Sequence, residues 1–351
     1  MSSHRIGMAR AVAATGLLSF AAAGHAATFC VSNVTQFRNA LQTAAGNGQD
    51  DQILLRTGIY TIDSPLTYDT TESHALTIVG GHYGAPGTGI CLRLDRAPSS
   101  TVIDGQGASR LLDLDAAPTA APAFTLRGLT LRNGRSTSSL PVVLVAGERA
   151  TILVDSTVME DMTGTPAGAV VTFQTHYGAM TIRNNVFTRI IGGGANGPLN
   201  FNHLGSTGAS FLVNNTVAWN ASLGDADERT GGIRLGGATS WLLSNNILWG
   251  NDGYDLESSH DGIDFTLRHN VIGRYAGTPN AASVGNVSAD PRWASAADLR
   301  LRGDSPFFDA GDPDPPGGIG EYDAWGRQRL FGNAPDIGAY ERQDVIFANG
   351  W

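Results

Sequence analysis

Four short segments carry the residues best suited to chemistry: GAVVTFQ (168–174), GPLNFNH (197–203), GGIRLGG (231–237) and GYDLESS (253–259). Read as alternating strands with Phe173, Phe201, Leu235 and Leu256 inward, they turn two columns outward. These are Thr172, Asn200, Arg234, Asp255 and Gln174, Asn202, Gly236, Glu257. His203 follows Asn202, while His176 and His260 lie just beyond their strands. In β-elimination of a uronate, a base removes the C5 proton while another group neutralises the carboxylate. Arg234 and His203 are the candidate catalytic residues, Arg234 as base or carboxylate clamp, with Thr172, Gln174, Asn200 and Asn202 binding substrate. Asp255 and Glu257 are candidate ligands of Ca²⁺, which takes hard oxygen donors. In hydrolysis two carboxylates flank the bond, and two positions apart on a strand means about 6.7 Å, near the lower limit for an inverting pair. The competing reading is a polar face that only binds glycans or is solvated.

Composition narrows these options. All 23 basic residues are arginine against 32 acidic ones, a formal charge of −9. With no lysine, a Schiff base, a phosphate-loop lysine and a lysine general base are excluded. An acidic chain also lacks the basic face that nucleic acid requires. The acidic loop GDADERTGG (224–232), with Asp225, Asp227 and Glu228, precedes Arg234 and reads as a metal donor set or a solvated run.

Residues 1–26 read as a secretory leader. Arg5 and Arg10 precede the short apolar run Ala11–Gly24, and small residues flank a cut after Ala26. No apolar run is long enough to cross a bilayer. Cys30 and Cys91, the two cysteines, are expected to pair as a disulfide in an exported, oxidising compartment. The expected product is an extracellular or surface-held monomer.

The elements that must position these residues repeat. TLRGLTL (125–131), ILVDSTV (152–158), TIRNNVF (181–187), FLVNNTV (211–217), LLSNNIL (242–248) and TLRHNVI (266–272) align, with Leu129, Ser156, Asn185, Asn215, Asn246 and Asn270 in one column. Linkers of Gly, Thr, Ser and Asn leave no room for a helix in each unit, and the apolar runs are β-branched. This predicts an all-β, single-stranded right-handed parallel β-helix over 51–277, its asparagines stacked about 4.8 Å apart as a ladder. Residues 27–50 form an N-terminal cap: Phe37, Ala40, Leu41 and Ala44 mark one face of a helix over 32–45, with Ser32 as N-cap and Gly46 as stop. Trp219 and Trp249 occupy matching positions and read as core, with sugar stacking the alternative. Trp241 and Tyr254 fit either.

The pattern D-x-I-x-L-x-x-G-x-Y in 51–60, TVIDG (101–105) and LRGLTLRNG (126–134) resemble the pectate-lyase-like right-handed parallel β-helix superfamily. DPRWASAADLRLRGDSPFFDAGD (290–312), GRQR (326–329) and DIGAYE (336–341) resemble the choice-of-anchor Q domain of secreted bacterial β-helix proteins. The first resemblance implies a fold that hosts lyases, hydrolases, epimerases and adhesins. The second implies an irregular C-terminal cap over 278–342, then a tail (343–351) that serves as a sorting signal or a last strand. Asp309, Gly311, Asp312, Asp336 and Glu341 match that pattern as turn and cap residues; Asp314 and Asp323 lie in the same acidic region, which lacks the spacing of an EF-hand loop. The paired-aspartate, Gly-His-Gly and Arg-x-Lys signatures of polygalacturonase-like enzymes are missing. The favoured function is therefore a uronate-polysaccharide lyase, with a non-catalytic glycan-binding surface protein as the alternative.

Overall fold

The computed structural model describes residues 26–84, 90–194, 196–205, 208–224, 229–237, 240–258 and 263–343, the side chain of Arg93 excepted. The expected leader up to residue 25, the tail from 344, the acidic Asp225, Asp227 and Glu228, and His260 lie outside the described residues.

The chain winds as a right-handed parallel β-helix, each full coil laying one short strand on each of three sheets of ten, nine and eight strands. One coil shows the rule: Val171–Thr175 lies on the third sheet, Met180–Arg183 on the first and Val186–Gly192 on the second, before Leu199–His203 returns to the third. Strands this short bury one side chain in two, so like positions stack into inward columns. Val171, Leu199, Ile233 and Leu256 form one and Phe173, Phe201 and Leu235 the next. The Phe173 and Phe201 rings stack at 5.1 Å, and Phe187 of the second sheet meets Phe173 edge-on at 6.5 Å. Each such buried side chain contributes on the order of 2 kcal/mol by transfer from water.

The register departs from the sequence reading at one place. Leu256 pairs with Ile233 rather than Leu235, so Glu257 pairs with Arg234. The cause is an irregularity between Thr230 and Ile233. Gly232 makes it possible, since a Cβ there would lie 1.9 Å from the Asp255 carbonyl oxygen.

The asparagine ladder forms at the turn from the first sheet to the second. Asn185 donates to Asn215 Oδ1 from its backbone N–H (3.1 Å) and from Nδ2 (3.0 Å), and Asn215 and Asn246 repeat this one coil on, toward Asn246 and Asn270. Asn286 closes the ladder below Asn270. At its head Thr157, not Ser156, donates to Asn185 Oδ1. Ser156 belongs to the preceding column, with Gly128, Asn184, Asn214, Asn245 and His269, all left-handed with φ of 53° to 63°. The left-handed bend is therefore carried by the neighbour of each ladder residue, and its side chain points out of the coil.

The N-terminal helix spans Val34–Ala44 and buries Phe37, Ala40, Leu41 and Ala44 against the first coils. Its N-cap is Asn33, whose side chain accepts from Gln36 N, while Ser32 donates to Gln36 Oε1. Cys30 and Cys91 form the disulfide, their Cα atoms 5.6 Å apart. No helix among the described residues is long and apolar enough to cross a membrane.

The C-terminal stretch packs against the side of the coils, so its described contacts are those of a strap rather than of an end cap. Outward side chains of the left-handed column hold it: Ser156 Oγ donates to Tyr322 O (2.9 Å), Asn184 Nδ2 to Ile319 O (2.8 Å), Asn214 Nδ2 to Asp336 O (3.0 Å) and Asn245 Nδ2 to Asp312 O (2.9 Å). Phe307, Ile337 and Ala339 add an apolar seam against Val186, Ala218, Ile247 and Val271. Inside the strap, fully buried Arg329 pairs with Glu341 at 3.3 Å. Asp336 accepts from the N–H groups of Asp309 and Arg342, Asp323 from those of Trp325, Arg327 and Glu341, and Glu341 from those of Phe331 and Asp336. Burial pushes all three carboxyls up, Glu341 to about 7.

Candidate functional site

The outer face of the third sheet gathers most of the side chains the sequence singles out. Hydrogen-bonded register places Thr172, Asn200, Arg234 and Glu257 side by side on successive coils, with Gln174, Asn202 and Gly236 in the next outward column. Thr172 and Gly236 are buried and the rest of the set half-buried, so the strip is a shallow relief. Asn202 Nδ2 donates to Gln174 Oε1 at 3.5 Å. Arg234 Nη1 donates to Asn196 Oδ1 at 2.8 Å, while its Nε stands 3.8 Å from Glu257 Oε1, beyond hydrogen-bond reach. Glu257 Oε2 accepts from the Thr230 hydroxyl. Asn200 Oδ1 and Arg234 Nε, on adjacent rungs, are buried atoms without a hydrogen-bond partner among the described residues.

Two expected members are elsewhere. His203 continues the parity of Leu199 and Phe201, so its ring points inward and is fully buried, with Nδ1 2.8 Å from Ser210 Oγ. Burial lowers its pKa and favours the neutral ring. It cannot meet a substrate on the face where Arg234 lies. Asp255 is likewise buried. Its Oδ1 accepts from Asn251 N and Nδ2 (3.0 and 2.8 Å), and Oδ2 accepts from Arg274 N (2.9 Å). Burial raises its pKa. It ends a second ladder that the sequence reading misses, in which Asn220 donates to Asn251 Oδ1 from N and Nδ2. Both Asp255 oxygens are thus taken up by N–H donors and Glu257 Oε2 by the Thr230 hydroxyl, so no described contact joins the two carboxylates as the expected Ca²⁺ pair, and Ca²⁺ takes six to eight oxygens around one point. Among the described residues no group of three or more His, Cys, Asp or Glu could hold a metal.

The tryptophans divide. Trp241 is fully buried in the core, Trp249 is half-buried against the strap, and Trp219, expected in the core, is 40% exposed with its ring edge-on to Trp293 at 5.3 Å. Tyr254 stacks under the Arg274 guanidinium, 4.9 Å from its ring centre.

Sequence reasoning also misses a cleft on another side of the molecule. It opens where the strap crosses the corner between the first and second sheets, and Arg96, Arg127, Asp155, Arg183 and Tyr322 are among its walls.

No family model matches the chain, and no curated protein matches it. Among solved structures, a mutant of the PL6 family alginate lyase AlyGC is similar at a TM-score of 0.45 and 15% identity, over 74% of this chain and 34% of that one. The chain thus spans about a third of that structure's length. A likeness of this degree assigns no activity.

Proposed function

We propose that the protein is an exported β-helix protein that binds an extended polysaccharide along the outer face of its third sheet. The observation that carries this reading is the in-register outward column Thr172–Asn200–Arg234–Glu257 with Gln174 and Asn202 beside it, a strip of polar side chains running along the coils. The column repeats one rung per coil, about 4.8 Å, so neighbouring rungs can address neighbouring hydroxyls of one chain. The leader expected in residues 1–26 and the Cys30–Cys91 disulfide support export.

Uronate β-elimination at the same strip is the second reading, favoured by Arg234. Its planar guanidinium fork, with Nε 3.8 Å from Glu257 Oε1, suits it to clamp a uronate carboxylate. With His203 turned inward, the two outward columns contain no imidazole among the described residues to remove the C5 proton. This weighs for binding over turnover.

The test offers pectate, alginate, chondroitin, heparan and glucuronan to the purified mature protein, each with Ca²⁺ and with chelator. Binding is read by affinity electrophoresis and turnover by the ultraviolet absorbance of an unsaturated uronate. Retention by at least one polysaccharide with flat absorbance supports the proposal. Rising absorbance replaces it with the lyase reading, and absence of both signals removes both.

A further inference from the structure

We infer that the cleft between the strap and the corner of the first and second sheets is a binding site for the carboxylate of a single acidic sugar. It lies on a different side of the coil from the third-sheet strip, and the inference does not rest on the function proposed for that strip.

The floor of the cleft is set by register. Arg127, Asp155 and Arg183 are paired neighbours on three successive strands of the first sheet. Arg127 Nη2 and Arg183 Nη2 approach the same oxygen, Asp155 Oδ2, at 3.2 and 3.1 Å. One nearly buried carboxylate therefore serves two guanidinium groups. Arg183 spends a further donor on the strap, from Nη1 to Gly317 O at 3.2 Å. Arg127 spends none: its side chain is 44% exposed and makes no hydrogen bond to the described residues beyond its contact with Asp155. From the other wall Arg96 lays its guanidinium over the Tyr322 ring, 4.1 Å from the centroid. Stacking fixes the plane of that group and leaves its edge donors available.

The acids in the lining are turned to donors of their own. Asp95 Oδ2 accepts from Ser100 Oγ (2.6 Å) and Tyr83 OH (3.1 Å), and Oδ1 accepts from Ala97 N (3.1 Å). Glu321 Oε1 accepts from Tyr322 OH at 2.6 Å. Three arginines and three acids line the cleft, so its formal charge cancels. What selects an anion is the presence of guanidinium donors with capacity left, not the net field.

Size and shape choose among anions. The cavity holds about 260 Å³, room for one sugar ring but not a length of chain. Val79, Leu94 and the Tyr322 ring supply an apolar side for the C–H face of a pyranose. An inorganic anion would meet the arginines and leave that side unused. A neutral sugar would use the apolar side and leave the arginines unused.

The test titrates the mature protein with D-glucuronate and D-galacturonate by calorimetry, with D-glucose and sodium sulfate as controls. The expected result is saturable uronate binding, about tenfold weaker for both controls and about tenfold weaker in Arg127→Gln and in Arg96→Gln. Thermal melts report whether each variant is folded. Should Arg127→Gln fail to fold, Arg96→Gln decides, because Arg96 lies outside the Arg127–Asp155–Arg183 column. Absence of saturable uronate binding, equal binding of sulfate or glucose, or unchanged uronate affinity in the folded variants would each overturn the inference.

Discussion

Asn215 Oδ1 accepts both the backbone N–H of Asn185, at 3.1 Å, and its side-chain Nδ2, at 3.0 Å, one coil away. This double acceptance, repeated from coil to coil, joins the turns between the first and second sheets into one continuous chain of bonds. Both residues are fully buried, so neither bond competes with water in the native state.

Asn215→Ala should accordingly be costly. It strips partners from Asn185 N and Nδ2, from Ile182 O and from Asn246 Oδ1. At about 1–3 kcal/mol for a buried group left unsatisfied, the loss should reach about 3 kcal/mol or more. Asn286→Ala, at the exposed foot of the ladder, should cost about 1 kcal/mol. Urea unfolding of the two variants tests this, and equal losses would contradict a ladder whose strength lies in its buried rungs.

The disulfide closes a separation of 61 residues and ties the strand before the helix to the segment that follows the first coils. Chain-entropy arguments put its contribution at up to about 4 kcal/mol. Reduction should lower the melting temperature of the wild type by several degrees and leave a Cys30→Ser/Cys91→Ser double variant unmoved. A wild-type melt indifferent to reductant would show that the linkage contributes nothing.

The strap should be more stable in acid. Burial raises Asp323, Asp336 and Glu341 above their ordinary range, Glu341 from 4.5 to about 7. Between those values the folded state holds more protons than the unfolded chain, so stability falls as pH rises. The Glu341 contribution is fully present below about pH 4.5 and is lost as pH passes about 7. Denaturant midpoints across that window should decline with pH, with a shallower slope in Glu341→Gln. A midpoint that rises through the window in the wild type and not in the variant would reverse the assignment.

Much of this architecture is written in periodicity. Asn185, Asn215, Asn246 and Asn270 reveal the coil length because identical amides must stack to bond each other. The partner residue that bends left-handed is Gly, Ser, Asn or His in different coils, so it leaves no single mark, and Thr157 and Ser156 are easily exchanged. The two-residue offset at Glu257 follows from a backbone irregularity at Gly231 and Gly232, which alternation alone does not register. His203 is different. Its parity with Phe201 already places it inward, and only its residue type argues for the surface. The Arg127 cleft could not be read in advance, because Tyr322 reaches it only once the strap has run back along the coils.

The most direct test of the third-sheet account compares the affinity of wild type and an Asn200→Ala/Arg234→Ala variant for whichever polysaccharide is retained. Arg189→Ala, whose ion pairs with Glu160 and Asp161 lie on the second sheet, is the control. The account predicts a loss of about tenfold to a hundredfold in the double variant and none in the control. Wild-type affinity in a folded double variant, or an equal loss in the control, would contradict it.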